Sequence, residues 1–209
     1  MATFDERARE WDTPERISRA ARVAAAIEDT VPLELTDRLV DVGAGTGLLG
    51  LALVDDVREV VLLDPSAGMI EVATEKLTTS GLRSVSALRH DLLVDPPPAD
   101  PFDVAVSLLV LHHLEDTAAA LAAIRELLVP GGRIALADLD TEDGSFHSAD
   151  AEGIHHRGFD RAAVAKLAES VGFVEVATRT ATVIDEDAEG GGFPVFLLIG
   201  RRPPAQAPG

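Results

Sequence analysis

The residues best arranged for chemistry stand in one short run, Asp41-Val42-Gly43-Ala44-Gly45-Thr46-Gly47. Glycine lets a strand turn sharply into a helix and lets backbone approach a ligand closely. The helix that follows offers unpaired N–H groups at its start. Two readings of the run fit. Gly45-Thr46-Gly47-Leu48-Leu49-Gly50 matches the dinucleotide fingerprint, with Asp64 placed where a ribose-binding acid belongs. The other frame is Gly43-x-Gly45-x-Gly47 with Asp41 two positions ahead of the first glycine. A carboxylate there repels a pyrophosphate and suits a ligand that carries an ammonium group. The second frame therefore points to a cationic ligand, while a plain strand-to-helix turn with an incidental Asp is the structural alternative.

Histidines form the second group. His112-His113 follows an apolar run, and either ring can take a proton from a hydroxyl or amine nucleophile. The alternative is that one packs beneath a site while the other lines it. His155-His156, with His147 and Asp150, brings ligand types together without fixed metal-ligand spacing. A polar lid is the reading taken, and no metal is expected.

These groups need a scaffold. Arg38–Val42, Val57–Leu63, Val85–Arg89, Phe102–Ser107 and Arg133–Ala137 read as strands. Helices alternate with most of them, beginning at Leu48, after Ser66 (to Ser80, stopped by Gly81) and after Asp116, until Pro130-Gly131-Gly132. Asp160 caps a last helix, Arg161–Val171, and Val174–Ile184 with Val195–Gly200 reads as a strand pair. Thr13-Pro14 places a cap residue and a first-turn proline ahead of a helix through Ile27. This βαβα alternation predicts an α/β domain with a parallel sheet and helices on both faces. The expected division is a helical lid segment over 1–36, the main domain over 37–200 and a loose tail over 201–209.

Of 209 residues 46% are apolar, enough for one domain with a real core, which excludes a disordered or fibrous chain. Thirty-six Asp plus Glu against 18 Lys plus Arg give a formal −18. Such a surface repels phosphate backbones and anionic bilayers, so neither nucleic acid nor membrane is an expected partner. The lack of cysteine removes disulfides, thiolate nucleophiles and Cys-based zinc sites together. The opening residues are not those of a signal peptide, and a cytoplasmic protein is expected, with homo-oligomerisation left open. Segment 138–160 holds seven acids and one Arg, and 183–192 holds four acids and no Lys or Arg. Just over half of the charge thus lies in two segments, read either as a rim favouring a cationic ligand or as a solvated surface.

With these residues in place, the chain resembles the class I S-adenosylmethionine-dependent methyltransferases of small-molecule type. Val40–Gly47 is similar to the family's first motif and Leu62–Met69, with Asp64-Pro65, to its second. Asp91-Leu92 is similar to the pair after the third strand. Ser107–Leu114 matches the segment after strand four, and Leu127–Arg133 the turn into strand five. Phe4-Asp5…Trp11-Asp12 is more loosely similar to an opening segment that folds over the cofactor. The resemblance implies a Rossmann-like seven-stranded sheet whose last strand runs antiparallel between its neighbours. It implies S-adenosyl-L-methionine as cofactor, held by Gly43, Ala44, Gly45, Thr46, Gly47 and Ser107. Asp64 would hold the ribose, Asp91 and Leu92 the adenine, and Asp41 the ammonium end. Met69 either packs on the adenine or fills the core; Trp11 either closes a lid or anchors the first helix. His112 and His113 are the catalytic candidates. No Gly-x-Ser-x-Gly elbow or P-loop occurs, and Ser107-Leu108-Leu109-Val110 stands where base- and glutamine-modifying members carry Asn/Asp-Pro-Pro-Tyr/Phe. A small-molecule methyl acceptor is expected. A cofactor-binding protein without turnover and an NAD-binding oxidoreductase are the alternatives.

Overall fold

A computed structural model describes residues 3–146, 153–184 and 192–205. The strands are β1 (Arg38–Val42), β2 (Glu59–Asp64), β3 (Val85–Arg89), β4 (Phe102–Leu108), β5 (Leu128–Leu139), β6 (Val174–Ile184) and β7 (Phe193–Arg201). They form one sheet in the order β3-β2-β1-β4-β5-β7-β6. The first five are parallel, and β7 runs antiparallel between β5 and β6. This is the Rossmann-like sheet that the resemblance implied.

The helices are α1 (Phe4–Arg7), α2 (Pro14–Glu28), α3 (Leu48–Ala52), α4 (Ala67–Ser80), α5 (Thr117–Leu127) and α6 (Arg161–Ser170). Parallel strands covered on both faces must be apolar throughout, and Val60–Leu63 and Val104–Val106 are almost fully buried. One core layer joins the sheet to Val23, Ala24 and Ile27 of α2, Leu49 of α3 and Ala73 of α4. The other joins it to Ala120, Leu121 and Ile124 of α5 and Val164 and Ala168 of α6. Four helix starts carry the caps read from sequence: the side chains of Thr13, Ser66, Asp116 and Asp160 accept from Arg16, Met69, Ala119 and Ala163 N–H. Each such cap contributes about 1 kcal/mol and fixes where the helix leaves the sheet's rim.

Within the N-terminal segment, α2 buries an apolar stripe in the core, and 3–12 lies on the outside of α4. Arg201 and Arg202, assigned to a loose tail, are instead tied in. Arg201 ends β7, and the Arg202 N–H donates to the Gly132 carbonyl at 2.8 Å while its guanidinium reaches the Arg125 and Leu128 carbonyls. β5 itself runs back through Pro130-Gly131-Gly132, which sequence read as a helix stop and as the turn into strand five. No helix among the described residues is long and apolar enough to cross a membrane.

Candidate active site

The carboxyl ends of β1, β2 and β4 define one rim of the sheet, and the glycine run turns there from β1 into α3. Gly43 has φ +66°, and a Cβ on it would lie 2.6 Å from Val110 Cγ2, so only glycine fits between the β1 and β4 turns. Gly47, also left-handed, caps α3. The Ala44 N–H donates to the Leu63 carbonyl at 2.9 Å. Two carboxylates brace this loop. Asp64 Oδ2 accepts from the Gly45 N–H and Oδ1 from the Ser66 N–H, both at 2.8 Å. Asp41, 1% exposed, accepts from the Gly50 N–H at 2.9 Å. Burial pushes the Asp41 carboxyl up to about 7; the Gly50 N–H pulls it down and the Asp64 charge adds to the rise. Burial likewise raises Asp64 above the ordinary carboxylate range, against the pull of the Ser66 and Gly45 N–H groups. Expected at the ligand's ammonium end, Asp41 is placed under the loop with one oxygen engaged by α3.

Residues 3–12 close over this loop through polar contacts that sequence reasoning missed. Asp5 Oδ1 accepts from Ser66 Oγ at 2.6 Å and the Gly68 N–H at 2.8 Å, at the start of α4. A Cβ on Gly68 would lie 2.7 Å from the Asp5 carbonyl oxygen, so the missing side chain permits this approach. Asp12 pairs with Lys76 and accepts from Thr46 Oγ1, while Lys76 Nζ donates to the Thr46 carbonyl. A Cβ on Gly45 would meet Trp11 Nε1 at 3.6 Å and Met69 Sδ at 3.8 Å. Trp11 and Met69 therefore flank the glycine run from above, and Met69, 1% exposed, also fills the core. The Gly68→Ala substitution should push 3–12 off α4 and shift the emission of Trp11, the one tryptophan, to the red. Since α1 buries no residue and the rest of the segment buries only Ala8, the unfolding free energy should move by about 1 kcal/mol. An unchanged spectrum would mean that the segment does not depend on this approach.

The β4 end holds the histidines. Leu109 has φ +59°, a strained value for a branched residue, and its N–H donates to the Ala137 carbonyl at 2.8 Å. The kink turns Leu111–His113 into a 3-10 turn across the end of β5. His112, 1% exposed, places Nδ1 2.7 Å from Asp138 Oδ1. The His113 ring lies 4.1 Å from that of His112 and edge-on to Phe4 at 5.4 Å; Phe4 in turn meets Trp11 at 5.7 Å. The aromatic wall therefore joins the N-terminal segment to the histidine turn. His155 and His156 donate their N–H groups to the His112 carbonyl. The His156 ring donates from Nε2 to the Leu114 carbonyl, a structural use. Among the described residues no three potential ligands come together to hold a metal ion; His147 and Asp150 lie outside them, as does most of the acidic segment 183–192.

Residues 40–134 match the family profile described as a methyltransferase domain. Over these residues the chain is similar to methyltransferase domains. It is 35% identical over 123 residues to an uncharacterized methyltransferase of Geobacillus kaustophilus, covering 58% of this chain and 55% of that one. It is 34% identical over 123 residues to a ubiquinone biosynthesis O-methyltransferase of Xylella fastidiosa, covering 57% and 48%. The chain thus spans about half the length of these curated relatives. Among solved structures it is similar to a chain from the complex between the Haloferax volcanii Trm112 methyltransferase activator and a methyltransferase. That match has 21% identity and a TM-score of 0.77, over 97% of this chain and 99% of that one.

S-adenosylmethionine, the cofactor that the resemblance implies, fits the residues present. A carboxylate offers about four lone-pair sites. Those of Asp64 accept from Gly45 and Ser66, which leaves capacity for ribose hydroxyls at the cleft. Ser107 Oγ, fully buried at the end of β4, has no partner among the described residues. An orphaned hydroxyl costs about 1–3 kcal/mol, which a ligand's polar group there would recover. His90, the residue before Asp91, donates its N–H to the Asp64 carbonyl, and Asp91 Oδ1 accepts from the Leu93 N–H. Leu92 packs against the core layer of α5. Pro65 contributes a carbonyl that accepts from Arg89.

Proposed function

We propose that this chain transfers the methyl group of S-adenosylmethionine to a small-molecule acceptor in the cleft between the glycine run, the β4 turn and residues 3–12. The observation that carries it is the Asp64 carboxylate held at the rim by the Gly45 and Ser66 N–H groups, with the aromatic wall of Phe4, Trp11 and His113 closing above. When bound, the sulfonium supplies an activated methyl group, so the protein's work is alignment and exclusion of water. In this reading Asp64 takes the ribose hydroxyls and Asp91 with Leu92 the adenine. Asp41, with Ser107, faces the ammonium end, and the latch of Asp5 and Asp12 holds the segment shut. A closed wall with Trp11 over the loop leaves room for a small acceptor better than for a folded protein, and the quinone-pathway name of the Xylella fastidiosa relative supports the same class.

The test is formation of S-adenosylhomocysteine and a methylated product from a panel of phenols, alcohols, amines and thioethers. Product from any of them establishes turnover. Tight cofactor binding without product from the whole panel would favour a binding protein.

A further inference from the structure

Arg7, at the end of α1, and Arg16, in the first turn of α2, converge on one ring. Their guanidinium carbons lie 5.2 and 4.0 Å from the centre of Trp11, whose Nε1 stands 3.6 Å from where a Cβ on Gly45 would be. An aromatic face attracts a cation, which accounts for one guanidinium there but not for two like charges together. Burial pushes the Arg16 guanidinium below its ordinary range, and the Arg7 charge adds to the fall. The acids close to Arg16 are engaged elsewhere. Asp12 pairs with Lys76 and accepts from Thr46, and Glu15 is held by its own N–H and the Thr13 hydroxyl. Among the described residues neither arginine makes an ion pair, and Arg16 spends one nitrogen on the Trp11 carbonyl at 2.9 Å. Two such cations beside the glycine run are an exception in a chain of formal −18.

The cofactor does not cancel this charge. The amino-acid end of S-adenosylmethionine carries one ammonium and one carboxylate, and its sulfonium adds a further positive charge. A net anion has to come from the other ligand of the cleft, the acceptor. The rest of the wall suits an apolar body, because Phe4, 42% exposed, is edge-on to both Trp11 and His113. A guanidinium fork matches a carboxylate or phosphate through two parallel N–H bonds. We propose that Arg7 and Arg16, seated on Trp11, form the specificity site for acceptors that join an apolar ring to a carboxylate or phosphate. The anion is held at Trp11 and the ring packs along Phe4 and His113. This deepens the methyl-transfer reading above and rests on it.

Trp11 is the one tryptophan and reports the site directly. With S-adenosylhomocysteine saturating, hydroxybenzoates, aminobenzoates and aryl phosphates should change its emission saturably. Arg7→Gln and Arg16→Gln should each weaken these acids by about 10- to 100-fold, the loss expected of one charge-assisted contact. The corresponding amides and phosphate-free phenols, similar in shape but neutral, should bind the wild type more weakly by a similar factor. Arg16→Lys keeps the charge and should recover part of the loss, which separates recognition from damage to the fold. In turnover, the Gln variants should raise KM for the acid far more than they lower kcat. Equal affinity for acid and amide, no saturable response to any acid, or acid binding unchanged in either Gln variant would each overturn the inference. So would variants that weaken S-adenosylmethionine and leave the acids untouched, because the pair would then serve the methionine carboxylate. Failure of the wild type to bind S-adenosylmethionine and S-adenosylhomocysteine would instead refute the function, before any acceptor is tried.

Discussion

Asp64→Ala weakens S-adenosylmethionine binding by on the order of 100-fold, with the sheet still folded. A hydrogen bond to a charged acceptor contributes about 1.5–3 kcal/mol, and on the proposed function removing the carboxylate would take away the acceptor for both ribose hydroxyls. The effect has a second source in this chain. The same carboxylate holds the Gly45 and Ser66 N–H groups, so its loss frees the glycine run and the start of α4 together. Asp64→Asn keeps the shape and one acceptor and should fall between the two, which separates lost contact from lost support. Calorimetry on the three proteins reads the series directly, and equal affinities would refute the assignment of Asp64.

The second large effect is on stability. Asp41 ionises at about 7 in the folded chain against an ordinary 3.8, chiefly because burial disfavours its charge. Between those values the folded state holds more protons than the unfolded one, so stability falls as pH rises through about 4 to 7 and is level above. The shift corresponds to about 4 kcal/mol at 1.36 kcal/mol per unit, an order-of-magnitude figure. Asp41→Asn mimics the neutral form and keeps an acceptor for the Gly50 N–H. It should therefore match the wild type at pH 4 and exceed it at pH 8, by roughly 10 °C in Tm for a chain of this size. The stabilisation by S-adenosylmethionine at pH 8 should shrink in the variant, because a cationic ligand no longer relieves a buried charge. A Tm difference independent of pH would contradict this account of Asp41.

Much of the architecture was legible because each strand is an apolar run and each helix begins at a residue that caps it. The turn at Gly43 and the antiparallel β7 followed from local pattern or from the motif order, whereas Asp64 was read only as a ribose-binding acid and its hold on the Gly45 and Ser66 N–H groups was not. What was not legible depends on contacts between distant segments. Asp138 stands within the last two residues of an apolar strand, as Asp41 and Asp64 do, and that position was the available signal. Its partner became visible only once the Leu109 kink laid His112 across β5. Asp5 and Asp12 looked like two acids among 36, and their roles exist only because Gly68 and Lys76 bring α4 beneath them. The bonds from Arg202 to the Pro130-Gly131-Gly132 stretch of β5 join residues about seventy positions apart. Local propensity cannot report such pairings.

Titration of the wild-type chain with S-adenosylmethionine, S-adenosylhomocysteine and NAD, followed by calorimetry, tests the central claim most directly. Both sulfur compounds should bind at one site, and NAD should not, because Asp41 stands under the loop where a pyrophosphate would lie. Binding of NAD with no heat from either sulfur compound would contradict the account.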